Sequence, residues 1–562
     1  MYFRHVLLAT LVSVFVAVAT VALDKPGYYY DEVIFVPVSL RVLGDCDVDA
    51  AVTSVVGCRP LMQTLGYVGA AKAWLHAPLV AAFGSSVWTV RLPSILVGAA
   101  ALVVLWLFAR LQLGTAWAVL LLALLATDPV LVNHARLDWG PHMLAALMRV
   151  LSLAALWRWL QTGATRWLVV LCAALLLGFW DKLNFIWVIA AWTGAAVLVA
   201  GRAIPGRLRA GAPWQPALVA VTGALLAWGT VTLVRRAAQL DTLGDAGTLG
   251  IADQLAKVWH LYAATFSGTS VVRWVFGIAA PVTSAFNVLL ILQLAGATLF
   301  LARWRPWSPA RRLLAFLTAA TALLLLAIVA TPQVGGSHHL IMLWPLPTLH
   351  LVTLLAIAAQ RAGDAGQTGT GMRTPIAIVG AVVCGAMLAW NVAIDLRNLD
   401  TWRHDRDFQP RFDPAIATLG TRLEGLDVER VIAVDWGLHQ PLVTLARREH
   451  AARYREWTWQ LIDAPDLERD ELRRAVEAQV AGRRVAFVLH TDPYTAFAGA
   501  PARLDALLAR YRPCRRQEET VPSSAGRPLY RIVVADYRGC GAATQGTGTT
   551  RAMPAEARRA PG

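Results

Sequence analysis

Four short clusters carry the residues able to do chemistry. They are Tyr28-Tyr29-Tyr30-Asp31-Glu32, the stretch from His134 through Arg136 and Asp138 to His142, Trp180-Asp181-Lys182-Leu183-Asn184, and Gly335-Gly336-Ser337-His338-His339. Each flanks a long apolar run, a place where ionisable residues are costly and tend to be functional. A carboxylate among cations suits transfer of a group away from a phosphate leaving group. The carboxylate, Asp31 with Glu32 beside it, accepts the proton of the incoming acceptor as general base. Arg136, Lys182 and His338 or His339 hold the phosphate as negative charge develops on it. Other chemistries lack their motifs: the chain has no Walker loop, no GxGxxG after a strand, no HExxH pair and no GxSxG elbow. Plainer readings stand beside this one. Taken alone, Asp31-Glu32 reads more commonly as an exposed pair, Asp138 equally as an ion pair with Arg136 and Asp181 as one with Lys182, and Trp139, Trp180 and Trp344 more commonly as interfacial anchors. The convergence of four clusters on one side of a membrane favours the catalytic reading.

The elements that must position these clusters are apolar helices. Of the 562 residues 57% are hydrophobic and 15% charged, against about 45–50% apolar in soluble domains. There are about eleven apolar runs of roughly 17–22 residues, each long enough to span a bilayer. They fall near 5–23, 87–109, 114–131, 142–160, 163–180, 183–200, 215–234, 281–302, 313–331, 340–359 and 375–394. With the N-terminus inside, the inner loops collect Arg110, Arg158, Arg166, Arg202, Arg207, Arg209, Arg303, Arg305, Arg311, Arg312, Arg361 and Arg373, as the positive-inside rule requires. The net charge of +15 is therefore read as topology and not as a nucleic-acid surface. Asp181-Lys182 must divide 163–200 into two spans, because a single helix would invert every Arg cluster downstream. All four polar clusters then share the outer side. The first segment has small residues suited to signal cleavage but reads as a retained helix, since it anchors the cluster after it. In the loop 235–280, Ile251, Leu255, Val258, Trp259 and Tyr262 recur at helical spacing, which suits an interfacial or a core-facing helix.

From residue 397 the pattern changes. Val431–Val434, Val485–Leu489 and Arg531–Val534 read as strands, with a charged amphipathic helix over 467–480. The expected architecture is a polytopic α-helical membrane part over 1–396, an extracytoplasmic α/β domain over 397–541, and a disordered tail from Ala542. The odd number of spans places that domain outside. Cys172 and Cys384 fall in spans. Cys46 with Cys58, and Cys514 with Cys540, are expected to form two local disulfides in an oxidising compartment.

Tyr30-Asp31-Glu32-Val33-Ile34-Phe35 resembles the Asp-Glu motif after the first helix of protein O-mannosyltransferases, and of lipid A aminoarabinose transferases. Arg59-Pro60-Leu61-Met62, a following helix, and Phe83-Gly84 to Val90-Arg91-Leu92-Pro93-Ser94 resemble the segment leading into their second span. Arg136 to Asp138 resembles the second-loop Arg and Asp, at a shorter spacing, and Arg59-Pro60 stands where many relatives carry Pro-Pro. The resemblance covers roughly the first 200 residues and is to type C glycosyltransferases (family 39-like). It implies an inverting transfer from a polyprenyl-phosphate sugar to an envelope acceptor on the outer face of the inner membrane, with Asp31 as catalytic carboxylate and Glu32 beside it. The candidate donor-phosphate and substrate-binding set is Arg59, Arg136, Asp138, Asp181, Lys182, His338 and His339. Some members of these families use a divalent metal, so Glu32 or the histidine pair is a candidate ligand; adjacent histidines are poorly spaced for ligation, and the metal stays unassigned. Two other classes remain open on the sequence. A secondary transporter or flippase would place polarity at mid-membrane in repeated broken helices, and a non-catalytic envelope scaffold would work through its outer domain.

Overall fold

The computed structural model describes residues 2–50, 55–60, 64, 68–239, 250–279, 281–303, 308–331, 336–365, 373–462 and 470–539. Each of the eleven expected apolar runs is mostly helical. Eight helices among the described residues are long and apolar enough to cross a membrane, or nine if one bent pair counts as a single span. The helices Arg4–Thr20 and Thr165–Asp181 fall short of that length. The chain is thus an integral membrane protein, polytopic and α-helical, followed by a small sheet-bearing unit.

Three departures from the expected spans have local causes. The run at 114–131 is not one helix: Thr115–Ala126 and Pro129–Arg136 meet at 52°. Pro129 has no N–H to continue the first helix, and the Asp128 side chain caps the second by accepting from Val130 N at 3.0 Å. The run at 340–359 starts late. A short helix Ser337–Leu340 and a 3-10 turn Ile341–Leu343 come first, and the long helix begins at Leu346, after Pro345. The last long helix runs Arg373–His404, well beyond residue 394. The break at Asp181-Lys182 is as expected. The helix ends at Asp181, Lys182 is extended, and Leu183–Phe185 turns into Ile186–Ala200. Here Val68 bridges Lys182, and Gly69 N donates to the Asp181 carbonyl at 3.0 Å. A Cβ on Gly69 would lie 1.4 Å from the Trp180 carbonyl oxygen, so only glycine permits this approach. The amphipathic helix is Ile251–Phe266. Val258 and Tyr262 enter the core, while Ile251 and Leu255 stay exposed, so it combines the two expected roles.

The sheet-bearing unit holds a five-stranded sheet of order β4-β3-β5-β7-β6. Its strands are β3 (Arg430–Ala433), β4 (Tyr454–Glu456), β5 (Arg484–His490), β6 (Arg515–Pro522) and β7 (Pro528–Asp536), while β1 (Val55–Val56) and β2 (Arg59–Pro60) form a hairpin in the first loop. β3 runs parallel to β4 and β5, and β7 antiparallel to β5 and β6. Side chains alternate between faces, as strand geometry requires. Ile432, Val434, Val485 and Phe487 pack under the helices Asp470–Val480 and Ala500–Arg510. Val431, Ala433, Ala486 and Val488 share a core with Leu40, Val48 and Val80 of the first loop. The sheet and that loop therefore form one packed body.

Cys46 and Cys58 are bonded, with Cα atoms 5.3 Å apart. Cys172 and Cys384 are free and buried. Cys540 of the second expected bridge, Arg305 of the inner loops, residues 240–249 of the second long loop and the tail from Ala542 lie outside the described residues.

Candidate active site

Asp31 sits in the short helix Tyr30–Val33 that follows the first span. Its carbonyl accepts from Gly140 N at 2.9 Å, which ties this turn to the loop of the second cluster. The side chain opens on a narrow cavity lined by Phe35, Thr64, Val68, Gly69, Lys72 and Gly140. Asp31 is half-buried as a residue. The surrounding protein pushes its pKa above the ordinary aspartate range, against the opposing pull of the Lys182 charge and a Tyr29 hydrogen bond.

Lys182 is buried at the helix break, its Nζ 3.5 Å from His142 Nε2. The His142 and His338 rings lie 6.0 Å apart, and His338 and His339 4.3 Å apart. His338 also lines a groove of 280 Å³ whose apolar wall includes Leu261, Ala264, Trp274 and Ile278. Asp31, Lys182, His142 and His338 are thus brought together from four separate segments. Asp181 is buried close by, within the electrostatic reach of Asp138, Lys72 and Lys182.

Other candidates have structural partners. Glu32 is held by Arg91, with Nε to Oε1 at 2.5 Å and Nη2 to Oε2 at 2.9 Å, and both side chains are buried. Arg91 also donates to the carbonyls of Leu23 (2.5 Å) and Pro26 (3.0 Å), fastening the turn that carries Asp31. Arg136 donates to the carbonyls of Val21 (2.5 Å), Ala22 (2.8 Å) and Lys25 (3.0 Å), where the first span ends. Asp138 pairs with Lys72 at 2.8 Å, not with Arg136, and accepts from Ser94 Oγ and from the backbone N of His142 and Met143. These charges hold the scaffold around Asp31. Arg59 is exposed on β2, and among the described residues no ion pair or hydrogen bond joins it to the cluster. Among those residues, too, no group of three His, Cys, Asp or Glu side chains is placed to hold a metal ion.

Lys72 and Arg149 were not among the expected site residues, and Arg91 and His142 stood there only inside longer motifs. Arg91 and Arg149 interrupt apolar spans, which was the available signal. Arg149 is buried and donates to the carbonyls of Trp344 (2.6 Å) and Ile341 (3.1 Å), fixing the turn after His338 and His339. Lys72, in the helix Ala71–Phe83, interrupts none of the expected spans and carried no such signal.

The sheet-bearing unit touches the site directly. Trp436 stacks on Tyr30 with centroids 5.1 Å apart, and Gln440 Nε2 lies 3.4 Å from the Tyr30 hydroxyl. Tyr29 is enclosed by Trp139, Trp274, Phe412 and Trp436 at 4.7–6.1 Å.

Fold and site together define an integral membrane protein with a carboxylate-and-cation centre at the edge of its spans. Residues 70–231 match the family model for dolichyl-phosphate-mannose-protein mannosyltransferase, in agreement with the resemblance of the motifs. No curated protein matches the chain. Among solved structures it is similar to ArnT from Cupriavidus metallidurans in the apo state, at 14% identity over 93% of this chain and 97% of that one, with a TM-score of 0.48. The same protein bound to undecaprenyl phosphate matches at 15% identity over 94% and 97%, with a TM-score of 0.47. The archaeal oligosaccharyltransferase AglB from Archaeoglobus fulgidus, in complex with an inhibitory peptide and a dolichol-phosphate, matches at 10% identity over 87% and 70%, with a TM-score of 0.45.

Proposed function

We propose that this chain is an inverting glycosyltransferase that moves a sugar from a polyprenyl-phosphate donor to an envelope acceptor, on the outer face of the inner membrane. The reading is carried by the placement of Asp31, whose turn is tied to Gly140 against buried Lys182 and within reach of its charge, at the edge of the spans. Asp31 takes the acceptor's proton as the new bond forms. Lys182, with His142 and His338 beside it, faces the phosphate that departs on the lipid. The apolar groove that reaches His338 suits the start of a lipid chain. The match of 70–231 to a polyprenyl-phosphate-sugar-dependent family supports the donor class. We read 1–396 as the catalytic membrane part and 397–541 as an extracytoplasmic domain that buttresses the Asp31 helix. The test uses purified protein in liposomes with radiolabelled polyprenyl-phosphate monosaccharides, counting transfer to water as well as to added envelope extract. Donor consumption, with a raised donor KM or lowered kcat in Lys182→Ala, is expected. No consumption across several donor sugars by folded protein removes the reading.

A further inference from the structure

A cavity of 480 Å³ is at the seam between the membrane part and the sheet-bearing unit, apart from the Asp31 centre. Trp274 and Phe276 come from the membrane side, Gln409 and Arg411 from the segment after the last span, and Tyr494 and Arg527 from the sheet side. Trp274 also lines the groove that holds His338, so the two spaces share one ring as a wall. Trp274 is packed against Tyr29, two residues from Asp31, with centroids 5.3 Å apart.

Chemistry of the lining narrows the ligand. Its charged residues are Asp407, Asp413, Arg411 and Arg527, two of each sign. Asp407 is paired with Arg527. Asp413 accepts from Ser524 and Ala415, and Arg411 lies over the Trp436 ring at 4.8 Å. A polyanion finds no net positive charge there. An acyl chain would cover Arg527, Asp407 and Gln409 without replacing their water. A neutral sugar chain meets both conditions: its C–H faces lie on the electron-rich faces of aromatic rings, while its hydroxyls exchange hydrogen bonds with planar polar side chains.

We propose that this seam is a binding site for a neutral oligosaccharide, the acceptor end of which reaches the Asp31 centre past Trp274. That the oligosaccharide is the acceptor rests on the proposed function, but binding is measured without donor, so the two readings fail separately. Saturation-transfer NMR on the full chain in nanodiscs would screen neutral hexasaccharides of gluco, manno, galacto and arabino configuration, with a sulfated hexasaccharide and inorganic phosphate as charged probes. At least one neutral probe is expected to bind, three- to tenfold more weakly in Tyr494→Ala, and not at all in Ser523→Trp, which fills the cavity. Thermal melting checks that both variants fold. The proposal is overturned if no neutral probe binds, if only a charged probe binds, or if binding survives in both variants.

Discussion

Arg91 and Glu32 form a buried ion pair whose removal has a calculable cost. Their side chains are 1% and 2% exposed, and the guanidinium also serves the carbonyls of Leu23 and Pro26. Arg91→Met keeps the stem but leaves the Glu32 carboxylate and two carbonyls buried without donors. Breaking a buried pair on one side costs about 3–5 kcal/mol, because the remaining charge is uncompensated. Glu32→Met strands the guanidinium and should cost a similar amount. The double variant strands neither charge, so the two losses should fail to add by about 2–3 kcal/mol. Reversible denaturant unfolding in mixed micelles, followed by tryptophan fluorescence, gives the four stabilities of the cycle. Because Glu32 adjoins Asp31, either single variant should also lower donor turnover. Arg91→Met as stable as the unaltered protein, or strictly additive losses, would mean that the buried pair does not hold this turn.

Four other outcomes are expected. The Asp31 carboxyl must be ionised to act as a base, and its pKa is raised, so donor turnover should rise with pH through a midpoint above the ordinary aspartate value of about 3.9. Lys182→Met removes a charge that lowers that pKa, so the midpoint should move further up; a downward move in the pH–rate profile would contradict the assignment. Trp436→Ala removes the ring stacked on Tyr30 and should cut kcat about ten- to a hundredfold through misplacement of Asp31, whereas unchanged kinetics would free the catalytic turn from the sheet-bearing unit. Cys46→Ser opens a bridge spanning a sequence separation of 12 and should cost about 2–3 kcal/mol, measured by the same unfolding assay.

The helices were legible because apolar length is a one-dimensional property, and the break at Asp181-Lys182 because charge cannot continue a span cheaply. Three of the five strands, β3, β5 and β7, were legible as short apolar runs, whereas the short β4 and the charged, exposed β6 were not. What the sequence did not carry was partnership. Asp138 stands two residues from Arg136, yet it pairs with Lys72, while Arg136 turns to the carbonyls at the end of the first span. Glu32 stands next to Asp31 and nevertheless faces Arg91, fifty-nine residues away. Such choices depend on where helix ends leave unsatisfied carbonyls, a property of the assembled bundle. The contact of Trp436 with Tyr30 was equally hidden, since it joins the sheet-bearing unit to the first loop.

If Asp31 is the base of a sugar transfer from a lipid phosphate, Asp31→Asn must abolish that transfer. Asparagine keeps the size and the Gly140 backbone contact but cannot accept a proton. With radiolabelled polyprenyl-phosphate sugar in liposomes, the unaltered protein should consume donor and the variant should lose at least about a hundredfold, with melting unchanged. Equal consumption by the two proteins would contradict this role of Asp31.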